Sequence, residues 1–327
     1  MLRKLASRIL DPVAARLRVR FAIDATQERL ARIEAMRDHW ALIEPAQERL
    51  ARIEAMRDHW AMIEPTQERL ARIEAILFEH AEARAVSASA HPHPFGSPAV
   101  TVVMPTWNRA ALVGAAIRSV QAQHFADWEL IVVDDGSADR TDQVVRGFAA
   151  DARIRYVRTE HVGMSAARNI ALAQARGAIL AYLDSDNVWY PGFLAAAVGT
   201  FAAEPEVDCL YGALVTDDAF GPGRLLFEPF DRARLERSNY IDTNVFMHRR
   251  VLIERHGDFD LALNRLDDWD LVLRYTADKP PYRLPVLAAR YRMMDSIRVT
   301  ETQPIAPAEA HIRRKLALAP APSAEPG

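Results

Sequence analysis

Three short apolar runs in this chain each deliver polar groups at their carboxyl end. VTVVM at 100–104 leads into Pro105-Thr106-Trp107-Asn108-Arg109. ELIVVD at 129–134 ends in Asp134-Asp135-Gly136-Ser137, and ILAYLD at 179–184 ends in Asp184-Ser185-Asp186-Asn187. Carboxylates two residues apart, as in Asp184 and Asp186, are hard oxygen donors that suit Mg²⁺ or Mn²⁺ and leave coordination positions open for diphosphate oxygens. A cation held there neutralises the charge that develops on a leaving nucleoside diphosphate. Each motif also has a plainer reading. Asp-Asp-Gly-Ser can be a turn in which Ser137 or Asp139 caps the following helix, and Asp-Ser-Asp-Asn a turn into the helix that begins near Pro191. Their recurrence at the ends of three apolar strands favours one shared site. Competing chemistries lack their motifs: there is no GxxxxGK[ST], GxGxxG, HExxH or GxSxG.

The elements that must position these residues are legible as a pattern. The runs at 100–104, 129–134, 154–157 and 179–184 read as strands, separated by helix-like stretches near 110–122, 139–150, 164–175 and 191–203. Strands alternating with helices predict an α/β fold, a mostly parallel sheet flanked by helices. In such a sheet ligands gather at the carboxyl ends of the strands, where the polar groups lie.

Two long stretches resemble the family 2 glycosyltransferases of the GT-A fold: VTVVMPTWNRAALVGAAIRSVQAQHFADWELIVVDDGSADRT, and GMSAARNIALAQARGAILAYLDSDNVWYPGFL. GDFDLALNRLDDWDLVLRY resembles that family's later acidic segment, so the resemblance spans roughly 99–300. It implies a nucleotide-sugar transferase whose roles carry over residue by residue. Pro105 and Trp107 would line the base pocket, with Trp stacking on the base. Asp135 would read the base, with Asp134 beside it, and Arg168 would face the nucleotide. Asp186 would be the direct metal ligand and Asp184 would contact ribose or support the metal site. Asp268 would be the catalytic base, taking the proton of the acceptor hydroxyl as that oxygen attacks the anomeric carbon with inversion. Trp269 and Asp267 are candidate acceptor contacts, although a core tryptophan and an acidic helix start are the plainer readings. Asn187 and His161 depart from the residues usual in the family, and Arg292 or Arg298 are candidates for a diphosphate-binding cation. No QxxRW motif of the processive members is present.

The implied activity is transfer of one sugar (EC 2.4), from a UDP-linked donor first and a dTDP-linked donor second, with Mn²⁺ or Mg²⁺. The implied acceptor is a glycan or a lipid-linked intermediate of cell-surface polysaccharide synthesis. The alternatives are a catalytically silent binding module of the same fold and a helical-repeat scaffold. A nucleotidyltransferase would need a Gly-rich basic loop where TWNRAA has no glycine.

The N-terminal part has its own texture. TQERLARIEAMRDHWALIEP (26–45) and AQERLARIEAMRDHWAMIEP (46–65) differ at two positions, and TQERLARIEAILFEHAEARA (66–85) repeats the first half. These are three 20-residue helical repeats over 25–85, rich in good helix formers. A period of 20 advances about five and a half turns, so one straight apolar stripe cannot persist. Pro45 and Pro65 mark kinks or ends. Such helices would associate with one another or with a partner in coiled-coil fashion. Residues 1–24, with Arg3, Lys4, Arg8, Arg16, Arg18 and Arg20, read as a basic amphipathic helix suited to a membrane surface. Residues 86–98 read as a linker and 301–327 as an Ala/Pro-rich, frayed tail.

Composition sets the outer limits. Lys+Arg is 41 against Asp+Glu 44, a net charge of -3, which gives no basic field for nucleic acid. A single cysteine, Cys209, excludes an intrachain disulfide framework. No apolar run reaches the roughly 18–20 residues of a membrane span. The expectation is a cytoplasmic protein, peripheral on the inner face of the membrane if residues 1–24 bind lipid.

Overall fold

The computed structural model describes residues 93–218, 221–263, 265–291 and 305–318. The basic helix at 1–24, the repeats at 25–85, most of the 86–98 linker, and Arg292 and Arg298 lie outside the described residues.

β1 (Val100–Thr106) and β2 (Trp128–Asp134) are buried at every position. Their mostly aliphatic and β-branched side chains fill both faces of the pleat, as strands covered by helices on both sides require. β1 pairs in parallel with β2 on one side and with β4 (Ile179–Tyr182) on the other. β3 (Ile154–Arg158) continues the parallel set beyond β2. The expected intervening helices are α1 (Val113–Gln121), α2 (Thr141–Arg146), α3 (Met164–Gln174) and α4 (Phe193–Ala203). In α1, Val113, Ala116, Ile117 and Val120 form the apolar stripe turned to the sheet.

Beyond β4 the strand direction reverses. β8 (Phe246–Arg249) runs antiparallel to β4, and β6 (Cys209–Asp218) antiparallel to β8. β9 (Tyr282–Tyr291) lies parallel to β6, with β5 (Val188–Trp189) antiparallel at its edge. The order is β3-β2-β1-β4-β8-β6-β9-β5, with β7 (Gly221–Leu226) pairing β6 off this path. The sheet is thus parallel in its first half and mixed in its second. Because β8 opposes β4, its beginning lies beside the end of β4. The 3₁₀ turn Thr243–Val245, capped by Asp242, is thereby brought to the edge where Asp184 emerges.

Three more helices follow in the second half: α5 (Arg232–Arg237), α6 (Val251–His256) and α7 (Asp267–Tyr275). The tail departs from the frayed segment that composition predicts, because residues 306–318 form α8 (Ala306–Leu318). Ile312 is 1% exposed. Lys315 pairs with Asp260 at 2.9 Å and Asp270 at 2.5 Å, and His311 bonds Asp260 at 2.9 Å. Alanine is the strongest helix former, so an Ala-rich stretch with one apolar anchor and two cationic contacts folds onto α7 instead of fraying. Among the described residues no helix is long and apolar enough to cross a membrane.

Candidate active site

The loop after β2 is locked by its own carboxylates. Asp134 is fully buried and accepts from the Ser137 amide at 2.8 Å, the Tyr156 hydroxyl at 2.6 Å and Arg158 at 3.2 Å. Asp135 accepts the Val162 and Gly163 amides at 2.6 and 2.9 Å and the Thr159 hydroxyl at 2.7 Å, pinning the loop after β3. Gly136, at φ +76°, stands between them, and a Cβ there would lie 2.9 Å from the His161 amide nitrogen. Asn108 and His161 hold positive φ of 51° and 57° at the same edge, a backbone strain that surrounding contacts must fix. For Asn108 those contacts are its amide to Ser137 Oγ and the Ala138 amide to its side-chain oxygen, both 2.8 Å.

Trp107 is 42% exposed, and His161 stacks on it with ring centroids 4.9 Å apart at 29°. Pro105 lies buried in β1 opposite Val133. Pro105, Trp107 and Asp135 therefore meet at one edge. Asp134 sits beneath them as a positioning group.

The second cluster is organised by one buried cation. Arg168, on α3 and 3% exposed, reaches Asp184 at 2.8 Å with one terminal nitrogen and Asp267 at 2.5 Å with the other. Burial works against its charge, but Asp267, Asp184 and Asp268 outweigh that and hold its pKa above the ordinary arginine value. The neighbouring Asn169 exchanges two hydrogen bonds with the Phe259 backbone, at 2.8 and 2.9 Å, and so ties α3 to the loop leading to α7. Asn244 donates to the other Asp184 oxygen at 3.0 Å and to Asp242 at 2.6 Å, while accepting the Asp184 amide at 2.7 Å.

Asp186 pairs with Arg109 through Nε at 3.3 Å. Burial first, and Asp184 second, push the Asp186 pKa up, with Arg109 opposing them. A carboxylate whose charge is disfavoured by burial and a like neighbour is one that a bound cation would relieve. The Asp184 and Asp186 pair thus fits a hard divalent ion. Among the described residues no three His, Cys, Asp or Glu side chains converge as a cage, so such an ion would take its remaining ligands from substrate or water.

Asp268 opens α7 beside Asp267 and Asp270, after Leu266 in the left-handed region at φ 58°. Its Oδ2 accepts from Asn239 Nδ2 at 2.8 Å. Burial, then the charges of Asp267 and Asp242, push its pKa up to about 7. Asp242 itself is pushed up to about 6, chiefly by burial. A carboxyl raised to about 7 is able to take up a proton near neutral pH.

The acceptor contacts assigned from the sequence are placed differently. Trp269 is 3% exposed and donates its ring N–H to Leu235 O at 2.6 Å, so the plainer core reading holds and no ring face is offered to a ligand. Asp267 is 5% exposed and spent on Arg168 and on Ser165, whose hydroxyl lies 3.1 Å away. Sequence reasoning missed Arg109, Asn239, Asp242 and Asn244. Arg109 had a signal, since it stands two residues after Trp107. The other three lie in a stretch with no recognisable spacing.

Comparison with known proteins agrees with the fold. The family model described as glycosyl transferase family 2 matches residues 101–256. A PGL/p-HBAD biosynthesis glycosyltransferase of Mycobacterium bovis is 30% identical over 201 residues, covering 60% of this chain and 74% of that protein. The UDP-Glc:alpha-D-GlcNAc-diphosphoundecaprenol beta-1,3-glucosyltransferase WfgD of Escherichia coli is 43% identical over 91 residues, covering 28% of this chain. The match spans only 36% of WfgD's own length. The crystal structure of S. aureus TarS 1-349 in complex with UDP-GlcNAc superposes with a TM-score of 0.59 at 19% identity, over 67% of this chain and 65% of that one. That likeness is one of fold, and the fold is the GT-A type.

Proposed function

Because this chain belongs to glycosyl transferase family 2, we propose that it moves a single sugar from a nucleotide-sugar donor to a glycan or lipid-linked acceptor, inverting the anomeric centre. The observation that carries the reading is the convergence on Arg168 of two functions. Asp184, beside Asp186, represents the donor side, and the Asp267–Asp268 pair represents the base side.

In this reading the donor's base lies against Trp107, with Pro105 buried behind it in β1, where Asp135 and Asp134 hold the loops that shape its pocket. A Mn²⁺ or Mg²⁺ ion, held by Asp186 with Asp184 in support, would supply positive charge facing the diphosphate. Asp268 accepts the proton of the acceptor hydroxyl. The freed oxygen pair forms the new bond to the anomeric carbon as the bond from that carbon to the diphosphate oxygen breaks, its electron pair leaving with the nucleoside diphosphate. Asn239 orients the base, and Arg168 holds Asp184 and Asp267 on its two terminal nitrogens. WfgD, by its name, uses UDP-Glc and an undecaprenyl-diphosphate-linked acceptor. This supports a UDP donor ahead of dTDP and an acceptor presented at the cytoplasmic face of a membrane. Residues 1–24 would then reach that surface, and the repeats at 25–85 would mediate self-association or bind a protein partner.

The test is a thermal-shift panel of UDP, dTDP, GDP, CDP and ADP with and without Mn²⁺, on the wild type and Asp186→Ala. A ligand that binds the folded state alone raises its stability as RT ln(1 + [L]/Kd). A Mn²⁺-dependent shift with UDP or dTDP, absent from Asp186→Ala, is expected. No shift with any nucleotide would overturn the reading in favour of a silent binding module.

A further inference from the structure

The far edge of the sheet, at the amino ends of β1 and β4, carries a second charged cleft. β8 runs antiparallel to β4 with Arg249 opposite Ile179, so the end of β8 and the start of α6 lie on the side away from Asp184. Arg176, Arg249 and Arg250 line a cleft of about 410 Å³ there, together with Gly96, Ser97 and Ala178. Among the described residues no acidic side chain lines it. The small residues leave the space between the guanidinium groups open to a ligand.

The fold holds these arginines in place without matching their charge. Arg249 donates to Val207 O at 2.8 Å and to Phe201 O at 2.7 Å. Arg250 donates to Gly177 O through two nitrogens, at 3.0 and 2.5 Å. Such carbonyls orient a guanidinium plane but do not neutralise it. Among the described residues neither Arg249 nor Arg250 forms an ion pair with a carboxylate. Burial pushes the Arg249 pKa down, opposed by Asp208, and Asp208 is itself shared between Arg255 at 3.4 Å and Lys279 at 3.9 Å. Arg176 meets Glu129 at 2.6 Å, but that carboxylate also faces Arg155 at 3.6 Å. Guanidinium groups thus outnumber carboxylates around the cleft. Their planar forks match the oxygens of a phosphoryl group, and an anion between them would relieve the unmatched charge.

We propose that this cleft binds a phosphoryl anion, with Arg249 and Arg250 as its fixed cations and the more exposed Arg176 at its rim. Two unmatched guanidinium groups suit a dianion, which a phosphate monoester or a diphosphate supplies and a single carboxylate does not. The anion is either free in solution or the headgroup of a lipid, and both present the same oxygens. The cleft lies across the sheet from Asp184 and Asp186, so it needs neither the metal nor the sugar donor.

The experiment uses the full chain in EDTA, so that no metal draws anions to Asp186. Inorganic pyrophosphate is titrated by calorimetry, and partition is measured onto phosphatidylcholine vesicles with and without phosphatidic acid. The variants are Arg250→Gln and Gly96→Glu. A Cβ at Gly96 meets nothing within 4 Å, so Gly96→Glu adds a carboxylate to the cleft without a steric clash. Pyrophosphate should bind the wild type with a Kd below about 1 mM at low ionic strength, and about 10-fold or more weakly in both variants. That loss with unchanged vesicle partition assigns a free anion. A phosphatidic-acid-dependent partition that falls in both variants assigns a lipid headgroup. If Arg250→Gln lacks a cooperative unfolding transition, Gly96→Glu alone decides. Wild-type pyrophosphate affinity together with wild-type vesicle partition in Gly96→Glu would overturn the site, as would a wild type that binds neither probe.

Discussion

Replacing Asp268 by Asn should make this protein more stable and much less active. Burial and the neighbouring Asp267 and Asp242 charges raise the carboxyl to about 7, far above its ordinary range near 4. A raised carboxyl contributes stability while it is protonated and loses it as pH climbs through the raised value. At pH 8 the folded protein therefore carries a charge that it disfavours. At about 1.4 kcal/mol per pH unit, three units give a ceiling of about 4 kcal/mol. Part of that belongs to the surrounding acids, so about 2 kcal/mol is expected from Asp268→Asn. For a domain of this size that is roughly a 4–8 °C rise in Tm. The assay is thermal unfolding of wild type and variant from pH 3.5 to 8.5, in EDTA and without nucleotide. The gap should be smallest below about pH 4, widen as pH rises from about 4 to about 7, and level off above that. In the same range wild-type kcat/KM should rise with pH, with its midpoint near 7, while the variant should lose about 100- to 10,000-fold in turnover. A gap that does not change with pH would refute the claim that the Asp268 charge is disfavoured in the fold. Turnover above a tenth of wild type would refute its role as base.

Two further perturbations probe other parts of the molecule. Arg109→Ala removes the cation at 3.3 Å from Asp186. Mn²⁺ added without nucleotide should then bind about 2- to 5-fold more tightly by calorimetry, the scale of a partly exposed ion pair; weaker binding would mean that Arg109 does not compete with the metal. Ile312→Ala empties the buried anchor of α8 and should cost about 2–3 kcal/mol in urea unfolding. A cost below about 0.5 kcal/mol would show that the helix does not dock on the domain.

The parallel half of the fold was legible because its strands are buried on both faces and so read as unbroken apolar runs, each followed by a turn motif. Asp184 and Asp186 stood out for a related reason, since they lie two residues apart at a strand end, whereas Asp268 was assigned only through the resemblance of GDFDLALNRLDDWDLVLRY to the family's later acidic segment. The mixed half was not. β6 and β9 hold apolar runs of the same kind, but direction and pairing are tertiary properties that no local period encodes. Arg109 was missed as a partner of Asp186 because 77 residues separate them. Trp269 illustrates the converse, a residue placed in a site by motif and in the core by burial. α8 was missed because Ala and Pro were read as a disordered composition, whereas Ile312, Lys315 and His311 decide the matter through long-range contacts.

Arg168 contacts Asp184 16 residues onward and Asp267 99 residues onward. During synthesis the loops after β1 and β2 and the Asp184–Asp186 turn emerge well before α7. A nascent chain that has completed its parallel strands therefore has Asp184 but not Asp267 to pair with Arg168, and the second counter-charge of that cation comes only with α7.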